Sequence, residues 1–324
     1  MSASFAVRLC SLLLLIGGIA AQSHAAETPI TLDTPTGQLA GTLELPAGAD
    51  KPRVALLIAG SGPTDRDGNS SLIPGRNDSL KLLAAGLAEA GIATLRYDKR
   101  GIGGSHAAGP AESALRFEMF VDDAAAWIAR LKADPRFASV VVIGHSEGSL
   151  IGMLAARQAD AAAFVSIAGI ADGASTLLRK QLEGKLPPEL EKESEQILVS
   201  LESGVVVDPV PPALVTLFRP SVQPYLISWF KYVPAQRIAA LTMPVLVVQG
   251  NTDIQVDVVQ ANRLHGASKG AKLAIIPGMN HVFKHVRAVP ELQVASYGDP
   301  SLPVSPLLVK SIVDFLHQGG ATTP

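Results

Sequence analysis

Val140-Val-Val-Ile-Gly144-His-Ser146-Glu-Gly148 joins four apolar residues to a serine with a glycine two positions before it and another two positions after. The run Val140 to Ile143 suits a strand buried on both faces, and Ser149 to Arg157 has helical character, so the serine sits in a tight strand-to-helix turn. Side chains at positions 144 and 148 would collide with neighbouring backbone in such a turn. Ser146 itself is forced into a strained φ/ψ that presents its Oγ. The helix that follows adds the positive end of its macrodipole beneath any negative charge developing there. A purely structural Gly-Ser turn is the alternative; the strand before and the helix after favour a nucleophile elbow.

Outward from this turn, short apolar runs alternate with helical stretches: Val54 to Ala59, Leu80 to Ala90, Ile92 to Tyr97, Phe117 to Leu131, and Ala163 to Ala168. The pattern resumes at Pro244 to Gln249, Val256 to Leu264, Leu273 to Ile276 and Val304 to Leu316. Apolar runs of strand length separated by crossover helices predict an α/β fold with a mostly parallel central sheet flanked by helices. Pro29 to Pro35 and Leu39 to Pro46, separated by Thr-Gly-Gln, read as an opening hairpin. Residues 171–239 break the rhythm. They hold 8 of the 23 prolines and the acidic run Leu186 to Glu202, and proline at that density disfavours central strands and long helices. The chain thus divides into core residues 26–170, an inserted segment 171–239 and core residues 240–324. An insertion at the carboxyl end of a sheet strand overhangs the ligand crevice, so a helical cap is expected, with Phe218, Tyr225, Trp229 and Phe230 as substrate-facing residues. The alternative is a surface elaboration that these aromatics merely pack down.

Two further signatures lie after central strands: Gly60-Ser-Gly-Pro-Thr-Asp-Arg-Asp-Gly-Asn69 and Tyr97-Asp-Lys-Arg-Gly101-Ile-Gly103-Gly-Ser105. With the elbow, they make the chain resemble the α/β-hydrolase fold enzymes over essentially all of residues 26–324. Within that fold it is similar to the bacterial branch of serine aminopeptidase-like hydrolases and small esterases. The resemblance implies the chain order nucleophile, acid, histidine. His281 follows the strand Leu273 to Ile276 in Pro277-Gly-Met-Asn-His281 and is the expected base, with His285 its competitor; His265 and His317 fall in helical patterns. Asp253, just past Val245 to Gln249, is the expected acid. Asp257 is the alternative, but an acidic residue opening a helix has an ordinary dipole explanation. Two converging N–H donors are needed for an oxyanion. The amide of Glu147 is one, and the resemblance assigns the other to Ser61, in a loop that reads Ala59-Gly-Ser-Gly-Pro where many relatives have His-Gly. Asp65, Arg66 and Asp67, and likewise Asp98, Lys99 and Arg100, either bind substrate or lock their loops; alternating charges beside a glycine turn satisfy one another, so local pairing is expected. His145 and Glu147 are expected to line the surroundings.

Composition narrows the function classes. With 324 residues, 48% hydrophobic and 17% charged, the chain buries a sizeable core, which excludes a disordered tail. Its 27 basic and 29 acidic side chains carry no long run of either sign, so no nucleic-acid partner is expected. Residues 1–25 read as a signal peptide: Arg8, an apolar run from Ser11 to Ala21, then Ser23 and Ala25 at the −3 and −1 positions. The run is shorter than the ~20 residues that span a bilayer, so no stable membrane anchor is expected and the mature chain is expected to be exported, periplasmic or secreted. Cys10, the single cysteine, lies in that leader. There is no cysteine pair and no His-x-x-x-His helix face with a glutamate base; His281 and His285 are four apart without further ligands, so neither a metal nor another cofactor is expected. The expected reaction is acyl transfer from a small-molecule ester to water. Amide or peptide hydrolysis is the runner-up, and a non-catalytic binding protein on the same fold is a third reading. The sequence does not fix the oligomeric state.

Overall fold

The computed structural model describes residues 26–318, so the leader-like segment and Cys10 lie outside the described residues. The strands are β1 (Ala26–Thr34), β2 (Gly37–Leu45), β3 (Val54–Ile58), β4 (Ala93–Tyr97), β5 (Val140–His145), β6 (Ala163–Ile167), β7 (Val245–Gly250) and β8 (Lys272–Ile276). They form one eight-stranded sheet in the order β1-β2-β4-β3-β5-β6-β7-β8. β1 pairs with β2 and β2 with β4 antiparallel; every other pairing is parallel. The hairpin turn falls at Pro35-Thr36, one residue earlier than the sequence pattern placed it, and Thr34 pairs with Gly37. Pro29 is tolerated because β1 is an edge strand.

The helices are α1 (Ser79–Glu89), α2 (Phe117–Lys132), α3 (Glu147–Gln158), α4 (Ala174–Leu182), α5 (Pro188–Glu202), α6 (Val215–Phe218), α7 (Gln223–Phe230), α8 (Pro234–Ile238), α9 (Val258–Ala267), α10 (Pro290–Ser296) and α11 (Pro306–Gln318). All residues of β3, β4, β5, β6 and β7 are buried, as continuous apolar runs require of strands covered on both faces. Alternation then divides one strand between two cores. Val54, Leu56, Ile58, Val140, Val142, Val245 and Val247 pack with Trp127 and Ile128 of α2 and Leu150 and Ile151 of α3. Ala55, Leu57, Val141, Ile143, Leu246 and Val248 pack on the opposite face with Leu83 and Leu87 of α1 and Leu308 and Ile312 of α11.

Helices α4 to α8 all lie between β6 and β7, in the proline-rich stretch. They are tied to the core by specific contacts. The amide of Phe117, at the start of α2, donates to Ser228 Oγ of α7 at 2.8 Å, and the Phe117 ring stacks on Trp229 with centroids 6.0 Å apart and planes 6° from parallel. Such a pair contributes about 0.5–1.5 kcal/mol beyond the area it buries. Gln223, fully buried, bridges α7 to the preceding loop by accepting from the Val207 amide at 2.6 Å and donating to the Val207 and Phe218 carbonyls.

The register sets the carboxyl ends of the parallel strands along one edge. Ile58 pairs with Gly144, His145 with Ile167, and Gly250 with Ile276. The loops after β3, β5, β7 and β8 therefore leave the sheet side by side.

Candidate active site

Ser146 has φ 54° and ψ −120°, a conformation an L-residue holds only when its surroundings over-determine it. The flanking glycines supply that constraint. A Cβ at Gly144 would lie 2.2 Å from the Gly148 carbonyl oxygen, and one at Gly148 would lie 2.4 Å from that of Ile58. Helix α3 begins at the next residue, Glu147, and the Ser146 amide extends the sheet by donating to the Ile167 carbonyl at 2.9 Å. The loop after β3 also passes near the serine, since a Cβ at Gly60 would stand 3.3 Å from Ser146 Cβ.

Asp253 and His281 meet because the loops after β7 and β8 are joined along their backbones. Asn251 Oδ1 accepts from the Gly278 amide at 2.7 Å, the Thr252 amide donates to the Met279 carbonyl at 3.2 Å, and Gly250 lies so near Met279 that any side chain would overlap it. His281 Nδ1 then stands 2.8 Å from Asp253 Oδ2. For that contact to be a hydrogen bond Nδ1 carries the proton, which leaves Nε2 as the acceptor of the neutral ring. Asp253 Oδ1 accepts from the amides of Gln255 and Val256 at 2.8 and 3.0 Å. Burial pushes the Asp253 carboxyl up, but His281 and those two amides outweigh it and hold the group below its ordinary 3.8. The competitors are placed elsewhere. His285, His265 and His317 are exposed, and Asp257 caps α9 by accepting from the Gln260 amide at 3.1 Å.

His145 is buried beside this pair. Its ring centroid is 4.7 Å from that of His281, and Nε2 donates to the His281 carbonyl at 3.0 Å. Burial first, and then the neighbouring His281, lower its pKa from 6.5 to about 3. The folded chain therefore binds fewer protons here than the unfolded chain between those two values, so His145 contributes stability that is full above pH 6.5 and is lost as pH falls toward 3. His145→Gln keeps a donor for the His281 carbonyl and cannot be protonated. It is expected to flatten the fall of the unfolding free energy, measured by urea titration, between about pH 7 and about pH 4, by a few kcal/mol at the acid end. Identical pH slopes in the two proteins would show that another group carries the acid lability.

A cavity of about 220 Å³ opens at Ser146 and is lined by Ser61, Glu147, Ile170, Leu177, Leu178, Gln181, Leu217, Leu226, Trp229 and Val256 among others. Of the four cap aromatics expected to face substrate, Trp229 lines it. The other three do not. Phe218 is 0% exposed and packs into the core, Phe230 is half-buried away from the cavity, and Tyr225 stands behind Glu147 with its hydroxyl donating to Glu147 Oε1. Burial and the adjacent Glu147 carboxylate raise the Tyr225 pKa well above its ordinary value, so the hydroxyl keeps its proton. Aromatics in this segment were needed to close a core around short helices. The aliphatic lining went unread in the sequence, although Ala174, Leu177, Leu178 and Gln181 have the i, i+3, i+4, i+7 spacing of one face of α4.

Asp65 locks its loop as expected, accepting from the Asp67 and Asn69 amides at 2.9 Å, but the other members of the charged triplets reach other elements. Arg66 reaches Asp98 at 2.7 Å, Asp67 pairs with Arg96 and Arg76, and Arg100 pairs with Asp123. Lys99 Nζ donates to the Gly60 carbonyl at 2.6 Å and to Glu147 Oε2 at 3.0 Å. Consecutive side chains leaving a strand end point to different sides, so neighbours in sequence find partners on different elements. Among the described residues no three of His, Cys, Asp and Glu cluster closely enough to hold a metal ion, and no helix is long and apolar enough to cross a membrane.

The sheet order, the strained serine after β5 and the helix-covered faces define the class: this is an α/β-hydrolase-fold protein. Residues 72–200 match the family model described as serine aminopeptidase, S33, a span that contains Ser146 but not Asp253 or His281. Over 254 residues the chain is 28% identical to esterase EstD of Thermotoga maritima, covering 77% of this chain and 59% of that protein, so it spans less than two thirds of that relative's length. Among solved structures it is similar to Est1E from Butyrivibrio proteoclasticus with ferulic acid bound, at a TM-score of 0.62 and 20% identity over 90% of this chain and 100% of that one. It is also similar to an esterase from Pyrococcus furiosus, at a TM-score of 0.57 and 15% identity, with 91% of each chain covered.

Proposed function

We propose that the chain is a serine hydrolase that cleaves carboxylic esters of small to medium acyl groups through an acyl-enzyme. Ser146 Oγ attacks the carbonyl carbon while His281 Nε2 takes its proton; Asp253 holds the imidazole by Nδ1 and stabilises the imidazolium. The amides of Glu147 and Ser61 receive the oxyanion, the alkoxide leaves with the proton from His281, and water then repeats the sequence to release the acid.

The observation that carries the ester reading is the lining of the cavity. Among the described residues its only charged member is Glu147, and that carboxylate is already engaged by Lys99 and Tyr225. No carboxylate is left to hold a free α-amine, as an aminopeptidase would require. At about 220 Å³ the cavity is smaller than the ~300–1,000 Å³ pockets that enclose drug-sized ligands, which suits short acyl chains. The name of the Thermotoga maritima relative supports the same reading. The serine aminopeptidase description of the matching family model favours amide hydrolysis as the second reading. The leader-like residues 1–25 support export of the mature chain.

A series of p-nitrophenyl esters of increasing acyl length, set against aminoacyl anilides, tests substrate class. The expected kcat/KM peaks at short to medium acyl chains and falls for long ones, with anilides well below esters. An anilide preference of about tenfold, worth ~1.4 kcal/mol in the barrier, would establish the amide reading instead.

A further inference from the structure

The two amides assigned to the oxyanion belong to separate elements, the loop after β3 and the first turn of α3, and one buried cation touches both. Lys99 follows β4 and is 2% exposed. Its Nζ donates to the Gly60 carbonyl at 2.6 Å and to Glu147 Oε2 at 3.0 Å, and it sits 5.2 Å from the centroid of the Phe120 ring. The remaining carboxylate oxygen of Glu147 accepts from Tyr225 of α7, so the cluster also reaches the cap.

The peptide unit is planar and trans, so the Gly60 C=O and the Ser61 N–H point in opposite directions within one plane. A donor that grips the carbonyl from one side fixes where the amide points on the other. Gly60 has no side chain of its own to brace it, and a Cβ there would stand 3.3 Å from Ser146 Cβ. The loop must be oriented from behind, and Lys99 stands there.

We propose that Lys99 is the positioning residue of the oxyanion site, holding the Gly60–Ser61 peptide plane and, through Glu147, the first turn of α3 in the geometry the tetrahedral intermediate needs. This assignment rests on the acyl-transfer reading above. Donors to an oxyanion act at 2.7–3.1 Å, and a displacement of about 1 Å costs on the order of 10²-fold. Lys99→Met is therefore expected to lower kcat about 10²-fold with KM within about twofold.

Lys99→Met also strands the Glu147 carboxylate in a buried site, which destabilises the fold by itself. The double variant Lys99→Met/Glu147→Gln removes both charges and separates the two effects. Its thermal midpoint is expected to recover most of what the single variant loses, while kcat stays about 10²-fold down because the Gly60 carbonyl has still lost its donor. Its affinity for an alkyl trifluoromethyl ketone, which adds to Ser146 and generates an oxyanion, is expected to fall by about the same factor, whereas affinity for the carboxylic acid product is unchanged. Recovery of kcat in the double variant, or full ketone affinity despite low kcat, overturns the assignment and leaves Lys99 as a counter-ion alone. Fluorophosphonate labelling of the wild-type protein separates this failure from a broader one: labelled wild type with a fully active double variant overturns only the role of Lys99, and unlabelled wild type overturns the acyl-transfer reading with it.

Discussion

Ser146→Ala is expected to lower kcat/KM for the best p-nitrophenyl ester by about 10⁵- to 10⁶-fold, on the order of 7–8 kcal/mol of barrier, and to abolish labelling by a fluorophosphonate. The size follows from the division of labour in the site. In the proposed mechanism Asp253 and His281 act only through Ser146 Oγ, so removing that atom silences all three at once, and what survives is the contribution of binding and the oxyanion donors. The substitution is a clean one because the strain at φ 54° belongs to the backbone and Cβ, both of which alanine keeps. The unfolding free energy measured in urea is accordingly expected to stay within about 0.5 kcal/mol of wild type. Residual activity within about a hundredfold of wild type, in protein free of wild-type contamination, would mean that Ser146 is not the nucleophile.

The features most legible in the sequence were those in which local and global demands coincide. Val140 to Ile143 reads as a doubly buried strand because every residue is apolar, and the structure buries each of them. Gly144 and Gly148 are readable for the same reason: their absent side chains answer a backbone collision set by the turn itself. Asp253 and His281 were chosen from their positions after strands and from the chain order the resemblance implies, and the structure brings the two side chains together at 2.8 Å. What could not be read depended on which distant element each side chain meets. Lys99 stands between Asp98 and Arg100, and nothing in that triplet distinguishes the residue that reaches Gly60 and Glu147 from the one that pairs with Asp123. The cap misled for a different reason. Short helices interrupted by proline bury little aliphatic surface, so Phe218 and Tyr225 close the core while leucines of α4, α6 and α7 face the cavity. Weighting helical spacing above aromatic content would have picked out Leu177 and Leu178.

Asp253→Asn is expected to cost about 10⁴-fold in kcat with KM changed only a few-fold, in a protein that still folds. The hydrogen bonds around the carboxylate dictate how the new amide must sit. Oδ1 accepts from the amides of Gln255 and Val256, so the asparagine keeps its oxygen there and turns its NH₂ toward the Oδ2 position. That position is where His281 Nδ1 and Gln249 Nε2 both donate now, at 2.8 and 3.0 Å. Gln249 cannot reverse to accommodate the change, because its Nε2 also donates to the Gly250 and Val256 carbonyls. Facing a donor, His281 Nδ1 becomes an acceptor and the ring proton moves to Nε2, the nitrogen that takes the proton of Ser146 in the proposed mechanism. The imidazole is then in the wrong tautomer at the right place, and the imidazolium has lost the carboxylate that stabilised it. Asp257→Asn provides the contrast: it disturbs only the cap of α9, so its kcat is expected to stay within about twofold while stability drops by about 1 kcal/mol or less. Should Asp253→Asn retain activity within tenfold of wild type while Asp257→Asn loses it, the orienting carboxylate is Asp257 and the pairing seen between Asp253 and His281 is structural.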